Sequence, residues 1–304
     1  MENLAYQFKG TIIYNTAIIV VLFAAIFESL IIIIGNAFTI FVFWKHRSTL
    51  KRTFLLVINL AVADLFVGVT EPISIGAYSI PGHLEEVNFN SARNKNILTA
   101  FQITFGFSSV LFLTLISLER AYALIWPLRY RVASTNVYIY SATLTWITAI
   151  LAGVLTLLTA FDVMGSAYWK VAIVSAKLLC LATISVSYLA IRTRLNFRVP
   201  VINGAHIRKN EPQQNAKLSK TLFIMITASL LFWVPSLVGN SIRHLRSELV
   251  PLPVYHIFTT FRLANSVVNP IIYSFRIPIF RETFKRVKLC KQSEEYTINY
   301  TPRN

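Results

Sequence analysis

Seven stretches of this sequence, at about 14–44, 54–79, 97–126, 136–160, 168–191, 219–243 and 252–275, are dominated by apolar residues. Runs of roughly 20 apolar residues match the hydrocarbon thickness of a bilayer when coiled as α-helix. A segment in lipid must satisfy its own backbone hydrogen bonds, so a spanning run of this kind folds as a helix. The expected fold class is therefore an all-α membrane protein, a bundle of seven transmembrane helices. The composition agrees: 55% of the 304 residues are hydrophobic. Nothing between the runs is long enough for a second folded domain, and no internal repeat is visible.

The formal net charge of +16 would fit a nucleic-acid partner if the basic residues formed one face. They do not. With the N-terminus outside, 21 of the 29 Lys and Arg fall at cytoplasmic ends and loops, in 45–52, 120–131, 192–220 and 276–303. Six lie outside, and two, Lys177 and Arg262, lie within spans. This asymmetry follows the positive-inside rule and sets an extracellular N-terminus, with membrane lipid and not nucleic acid as the partner of the charge. The first apolar run is too long for a cleavable signal peptide and is expected to act as its own insertion signal. Of the two cysteines, Cys180 lies in a span and Cys290 follows the last one, so no stabilising bridge is expected. Cys290, beside basic residues at the membrane edge, is a lipidation candidate.

Ionisable groups inside a span cost at least ~2.5–3.5 kcal/mol each on insertion scales, which makes each a functional candidate. Here they are Glu28, Asp64, Glu71, Lys177 and Arg262, with Glu119 and Arg120 at an inner helix end. Their setting is a series of short motifs. The first span has Gly35-Asn36 and the second Asn59-Leu60-Ala61-Val62-Ala63-Asp64. The third ends in Ser117-Leu118-Glu119-Arg120-Ala121, followed by Trp126-Pro127-Leu128-Arg129-Tyr130. Trp146, Tyr188 and Phe232-Trp233-Val234-Pro235 mark the fourth to sixth, and Asn269-Pro270-Ile271-Ile272-Tyr273 the seventh. An amphipathic segment, Phe275-Arg276 through Phe284-Lys285-Arg286, comes next.

Taken in order over roughly residues 30–287, this set resembles the rhodopsin-like (class A) G-protein-coupled receptors. The resemblance implies a plasma-membrane receptor that rearranges on binding an extracellular ligand and activates a heterotrimeric G protein. It also implies an organisation: 1–13 an extracellular tail, 14–276 the bundle, 277–290 a short amphipathic eighth helix and 291–304 a cytoplasmic tail. By the same resemblance, Arg120 meets the G protein, is held by Glu119 in the inactive state, and is approached by Tyr188 and Tyr273 in the active one. Trp233 would sense ligand at the pocket floor. Asp64, Ser109, Asn265, Ser266 and Asn269 would surround an allosteric sodium ion.

Helical positions seven apart share a face, about two turns and ~10 Å apart. Arg262, Asn265, Ser266, Asn269 and Tyr273 thus form one polar stripe that must face other helices. That stripe serves either as interhelical hydrogen-bonding glue or as an ion site, since its side-chain oxygens suit a hard cation. Pro235 and Pro270 each remove a backbone hydrogen bond and let their helices bend.

The sequence also departs from the family. Lys95 stands where the third span usually carries a bridging cysteine, Cys180 where the fifth has proline, and Ala121 where a tyrosine usually follows the arginine. Ser229 replaces a frequent phenylalanine, and Asn215 replaces the acid that restrains the arginine from the sixth span, so readily populated active states are expected. Loss of bridge and proline together resembles the melanocortin, cannabinoid and lysophospholipid receptors. Gln102 occupies the position of the family's amine-binding aspartate, which argues against a monoamine ligand.

Glu71 lies seven residues outward of Asp64, and Arg262 seven outward of Asn269 on an antiparallel helix. If Asp64 and Asn269 share a level, Glu71 and Arg262 share the next and are expected to pair. Lys177 either snorkels toward a headgroup or faces inward, where it would attract a ligand's carboxylate or phosphate. Glu71, Gln102, Lys177, Trp233 and Arg262 are the candidate ligand contacts. A channel or transporter would favour repeats or matched broken helices, and neither is visible. A degenerate or constitutively active receptor without a ligand of its own is the nearer alternative.

Overall fold

The apolar runs become long helices in a computed structural model that describes residues 2–46, 53–79, 92–161, 166–196, 227–243, 246, 249–276, 280 and 283. These are α1 (Glu2–Lys45), α2 (Thr53–Ser79), α3 (Ala92–Ile125), the short α4 (Pro127–Val132), α5 (Thr135–Ala160), α6 (Ser166–Asn196), α7 (227–243) and α8 (Leu252–Arg276). The first helix extends further toward the N-terminus than expected, because α1 already begins at Glu2 and takes in residues read as a tail. Of the segment expected as an eighth amphipathic helix, only Phe280 and Thr283 are described, both helical and buried. Cys290, Asn215 and residues 291–304 lie outside the described residues.

Local signals place the helix ends. Pro127 opens α4 at a first-turn position, where its missing N–H loses no intrahelical bond. Ser134 caps α5 by accepting from the Asn136 backbone N–H at 3.2 Å.

Five helices are long and apolar enough to cross a membrane by length and composition: Tyr14–Lys45, Phe54–Ala77, Arg93–Ile125, Thr135–Ala160 and Tyr168–Arg194. The α8 helix falls short on composition because of its polar stripe, and α7 is described only over 227–243. Across the bundle the usual soluble pattern is inverted. Phe23 is 70% exposed, Leu144 65% and Leu179 69%, whereas Asn36, Asp64 and Glu71 are fully buried. Large apolar side chains turned outward and polar ones turned inward are what a lipid solvent selects.

The α3 helix is the hub, packing against α2, α5 and α6, while α1 packs against α2 and α8. One core cluster draws on all seven long helices, including Phe43, Leu60, Phe112, Ala142, Ile184, Trp233 and Tyr273, and is capped by Phe280. Two small residues let backbones approach, as membrane interfaces favour. A Cβ at Gly35 would stand 3.1 Å from the Pro270 ring, and one at Gly153 would run into Thr104 and the Ala100 carbonyl. Asn36 fixes the first of these contacts, donating through Nδ2 to the Ser266 carbonyl of α8 at 3.3 Å. Trp146 ties α5 to α2 by donating to Asn59 Oδ1 at 2.8 Å.

Candidate functional site

Polar groups along the bundle axis gather at three levels. At the outer level α2, α3, α6, α7 and α8 enclose a cavity of about 710 Å³. Its lining includes all five candidate ligand contacts, Glu71, Gln102, Lys177, Trp233 and Arg262. Arg262 Nη2 forms an ion pair with Glu71 Oε1, as the seven-residue register argument expects. The other Glu71 oxygen, Oε2, accepts from Gln102 Nε2 at 2.7 Å. Three helices are thus clamped through one fully buried carboxylate whose two oxygens are both engaged. Gly106 leaves room for the guanidinium, since a Cβ there would lie 3.2 Å from Arg262 Nη1.

Lys177 faces inward and does not snorkel. Its Nζ lies 5.6 Å from the Trp233 ring centroid, and Arg262 Cζ lies 5.6 Å from the same centroid. Two cations therefore flank one indole at favourable cation–π range. Trp233 is only 3% exposed, and its Nε1–H has no acceptor among the described residues. Packing and the two cations hold the ring, with no hydrogen bond fixing its orientation. Tyr255, His256 and Arg243 also line the cavity. None of them belongs to a sequence motif, and only their position within two turns of Arg262 or at the end of α7 could have suggested them.

At the middle level Asp64 is fully buried. Its Oδ1 accepts from Ser109 Oγ at 2.6 Å and Ser266 Oγ at 2.8 Å, and its Oδ2 from Asn269 Nδ2 at 2.8 Å. Three of the four expected neighbours bond directly to the carboxylate. Asn265 is equally buried, with its Nδ2 lacking an acceptor among the described residues. One carboxylate among hydroxyl and amide oxygens is a donor set of the kind hard cations take. No cluster of His, Cys, Asp and Glu that could hold a transition metal occurs among the described residues. Pro270 sits inside α8 one residue beyond this level, and Pro235 inside α7 just outward of Trp233.

At the inner level Arg120 Nε meets Glu119 Oε2 at 2.8 Å. Tyr130 of α4 donates its hydroxyl to Glu119 Oε1 at 2.7 Å, and Tyr138 of α5 reaches the same oxygen at 3.4 Å. Glu119 is therefore held from two further helices, a restraint whose one trace in the sequence is the place of Tyr130 in the Trp126–Tyr130 motif. Tyr273 packs with Phe43 and Phe280, each ring centroid 6.4 Å away, and Tyr188 packs at the edge of the main core. Arg120 is thus in its Glu119-bound arrangement.

Comparison with known proteins adds an independent finding. Residues 35–273 match the family model described as 7 transmembrane receptor (rhodopsin family). Similar curated proteins include trace amine-associated receptor 7h of Rattus norvegicus, 25% identical over 89% of this chain and 83% of its own length. Adenosine receptor A3 of Canis lupus familiaris is 24% identical over 86% of this chain and 90% of its own. Adenosine receptor A3 of Bos taurus is 25% identical over 86% and 88%. These names differ from the melanocortin, cannabinoid and lysophospholipid receptors that the missing bridge and proline suggested.

Proposed function

Because this chain belongs to the rhodopsin family of seven-transmembrane receptors, it is a G-protein-coupled receptor that senses an extracellular ligand, and we propose how its residues divide that task. The outer cavity takes the ligand, with the N-terminus extracellular. Lys177 attracts an anionic group on it, and Trp233 passes the change inward. Pro235 and Pro270 supply the bending points of α7 and α8. Arg120, released from Glu119, meets the heterotrimeric G protein, and Tyr188 and Tyr273 turn toward it. A sodium ion held around Asp64, Ser109, Asn265, Ser266 and Asn269 favours the resting arrangement. Cys290 anchors the tail segment to lipid when acylated.

The observation that carries the ligand assignment is the pairing inside the cavity. By their names, the relatives answer trace amines or adenosine. An ammonium ligand needs an available carboxylate, and Glu71, the one carboxylate among the lining residues, already serves Arg262 and Gln102. The cavity instead offers a cation, Lys177, that forms no ion pair among the described residues.

The Glu119–Arg120 contact supports the inner assignment. Replacing Glu119 with glutamine removes the charge that retains Arg120, and two tyrosine hydroxyls lose their anionic acceptor. The variant is expected to signal without ligand several-fold above wild type at equal surface density, about 1 kcal/mol in the resting equilibrium. Ligand-free accumulation of second messenger in transfected cells reads this directly. An unchanged or lower basal signal contradicts the assignment.

A further inference from the structure

We propose that the outer cavity is built for a ligand carrying one carboxylate on an apolar body, the carboxylate seated on Lys177 and the Glu71–Arg262 clamp left intact. The proposal rests on the ligand site assigned above and narrows its chemistry. Glu71, Lys177 and Arg262 lie close together in the cavity wall, the two basic side chains against one indole. Glu71 and Arg262 cancel each other, which leaves a single positive charge, that of Lys177. Two other lining cations, Lys170 and Arg243, sit where water screens them. Lys170 is exposed, and Arg243 is partly exposed and donates to the Val250 carbonyl at 2.7 Å.

Burying an unmatched charge is strongly unfavourable, so the best occupant brings one negative charge to this level. A phosphate monoester carries about −1.5 to −2 near neutral pH and would leave an excess. An amine adds to the positive charge, and an alcohol leaves Lys177 unmatched. Arg262 is a poor alternative anchor, because drawing it to the ligand would strip a fully buried Glu71 of its counter-charge.

The rest of the wall is mixed: Ile75, Ile103, Ile173, Val174 and Leu237 line it beside the Trp233 indole and can take an apolar body, among hydroxyl and amide groups such as Ser74, Thr99, Ser236 and Asn240. Its volume of about 710 Å³ suits a small amphiphile. Seating the carboxylate draws Lys177 away from the Trp233 ring, whose Nε1–H has no acceptor among the described residues, and so gives the ligand a direct hold on that side chain.

The test uses the purified full chain in lipid nanodiscs and four probes that differ only at the head: 4-phenylbutyrate, 4-phenylbutyl phosphate, 4-phenylbutylamine and 4-phenylbutanol. Binding is read as a thermal shift over a concentration series. Phenylbutyrate should stabilise the receptor at the lowest concentration of the four. Lys177→Met should raise its half-saturating concentration about tenfold or more, about 1.4 kcal/mol. Lys177→Arg should retain binding, Lys45→Met at the exposed end of α1 should change nothing, and Ile103→Trp should fill the cavity and block it. Thermal melts without probe establish that each variant is folded. If the phosphate, amine or alcohol binds more tightly while Ile103→Trp still blocks it, the monocarboxylate class is wrong and the cavity assignment survives. If binding of every probe is absent, or indifferent to both Lys177→Met and Ile103→Trp, the proposal is overturned together with the cavity's role.

Discussion

Arg262→Met is expected to destabilise the folded receptor by roughly 3–5 kcal/mol, enough to remove most of it from the cell surface. The cause is what the substitution leaves behind. Glu71 is fully buried, and without Arg262 its one remaining hydrogen-bond partner among the described residues is the Gln102 amide. A buried ion pair contributes little net stability, but one stranded partner is strongly unfavourable. The two single neutralisations should therefore behave differently from the double one. Glu71→Gln with Arg262→Met removes both charges and should regain most of the lost surface expression. Exchanging the residues, Glu71→Arg with Arg262→Glu, should also rescue, since it restores opposite charges at one level. Flow cytometry of an epitope-tagged receptor measures all four. Failure of both double variants to exceed Arg262→Met would mean that Arg262 acts through packing and not through its charge.

A second large effect is expected at Asp64. Asp64→Leu removes the acceptor of three buried donors, Ser109, Ser266 and Asn269. Each stranded donor costs about 1–3 kcal/mol, so the sum reaches several kcal/mol and the variant should fold poorly. Asp64→Asn separates this scaffold role from ion binding. The amide nearly preserves the volume and keeps one acceptor oxygen, but it lacks the charge a cation needs. Wild-type receptor should melt higher in sodium chloride than in choline chloride at equal ionic strength, because a ligand that binds only the native state raises its stability. Asp64→Asn should melt equally in both salts. A sodium-dependent melt that persists in Asp64→Asn would rule out this carboxylate as the ion's seat.

Helical register alone locates much of this interior in the sequence. Glu71 and Arg262 each sit seven residues outward of a residue at the Asp64 level, and a helical register carries that equality into space. The same count finds Gln102, seven residues outward of Ser109 on α3, but its bond to Glu71 went unforeseen. Treating Gln102 as a substitute for an amine-binding acid hid its simpler role as the third member of the clamp. Lys177 could not be assigned from sequence for a different reason. Apolar residues surround it on α6, so periodicity gives no preferred face, and rotation is settled only by packing against α3 and α5. The Glu119 contacts with Tyr130 and Tyr138 join residues on three helices, a juxtaposition set by tertiary packing with no sequence period behind it.

On the proposed reading, this bundle converts the state of its outer cavity into G-protein activation through Arg120. Guanine-nucleotide exchange on purified heterotrimeric G proteins, driven by the full chain in nanodiscs, tests it most directly. The wild-type receptor should accelerate exchange above empty nanodiscs for at least one G-protein subtype without ligand, and further with 4-phenylbutyrate. Arg120→Ala should fall to the level of empty nanodiscs while still binding that probe. Exchange indistinguishable from empty nanodiscs for every subtype, with probe and without, would show that the cavity does not drive G-protein activation.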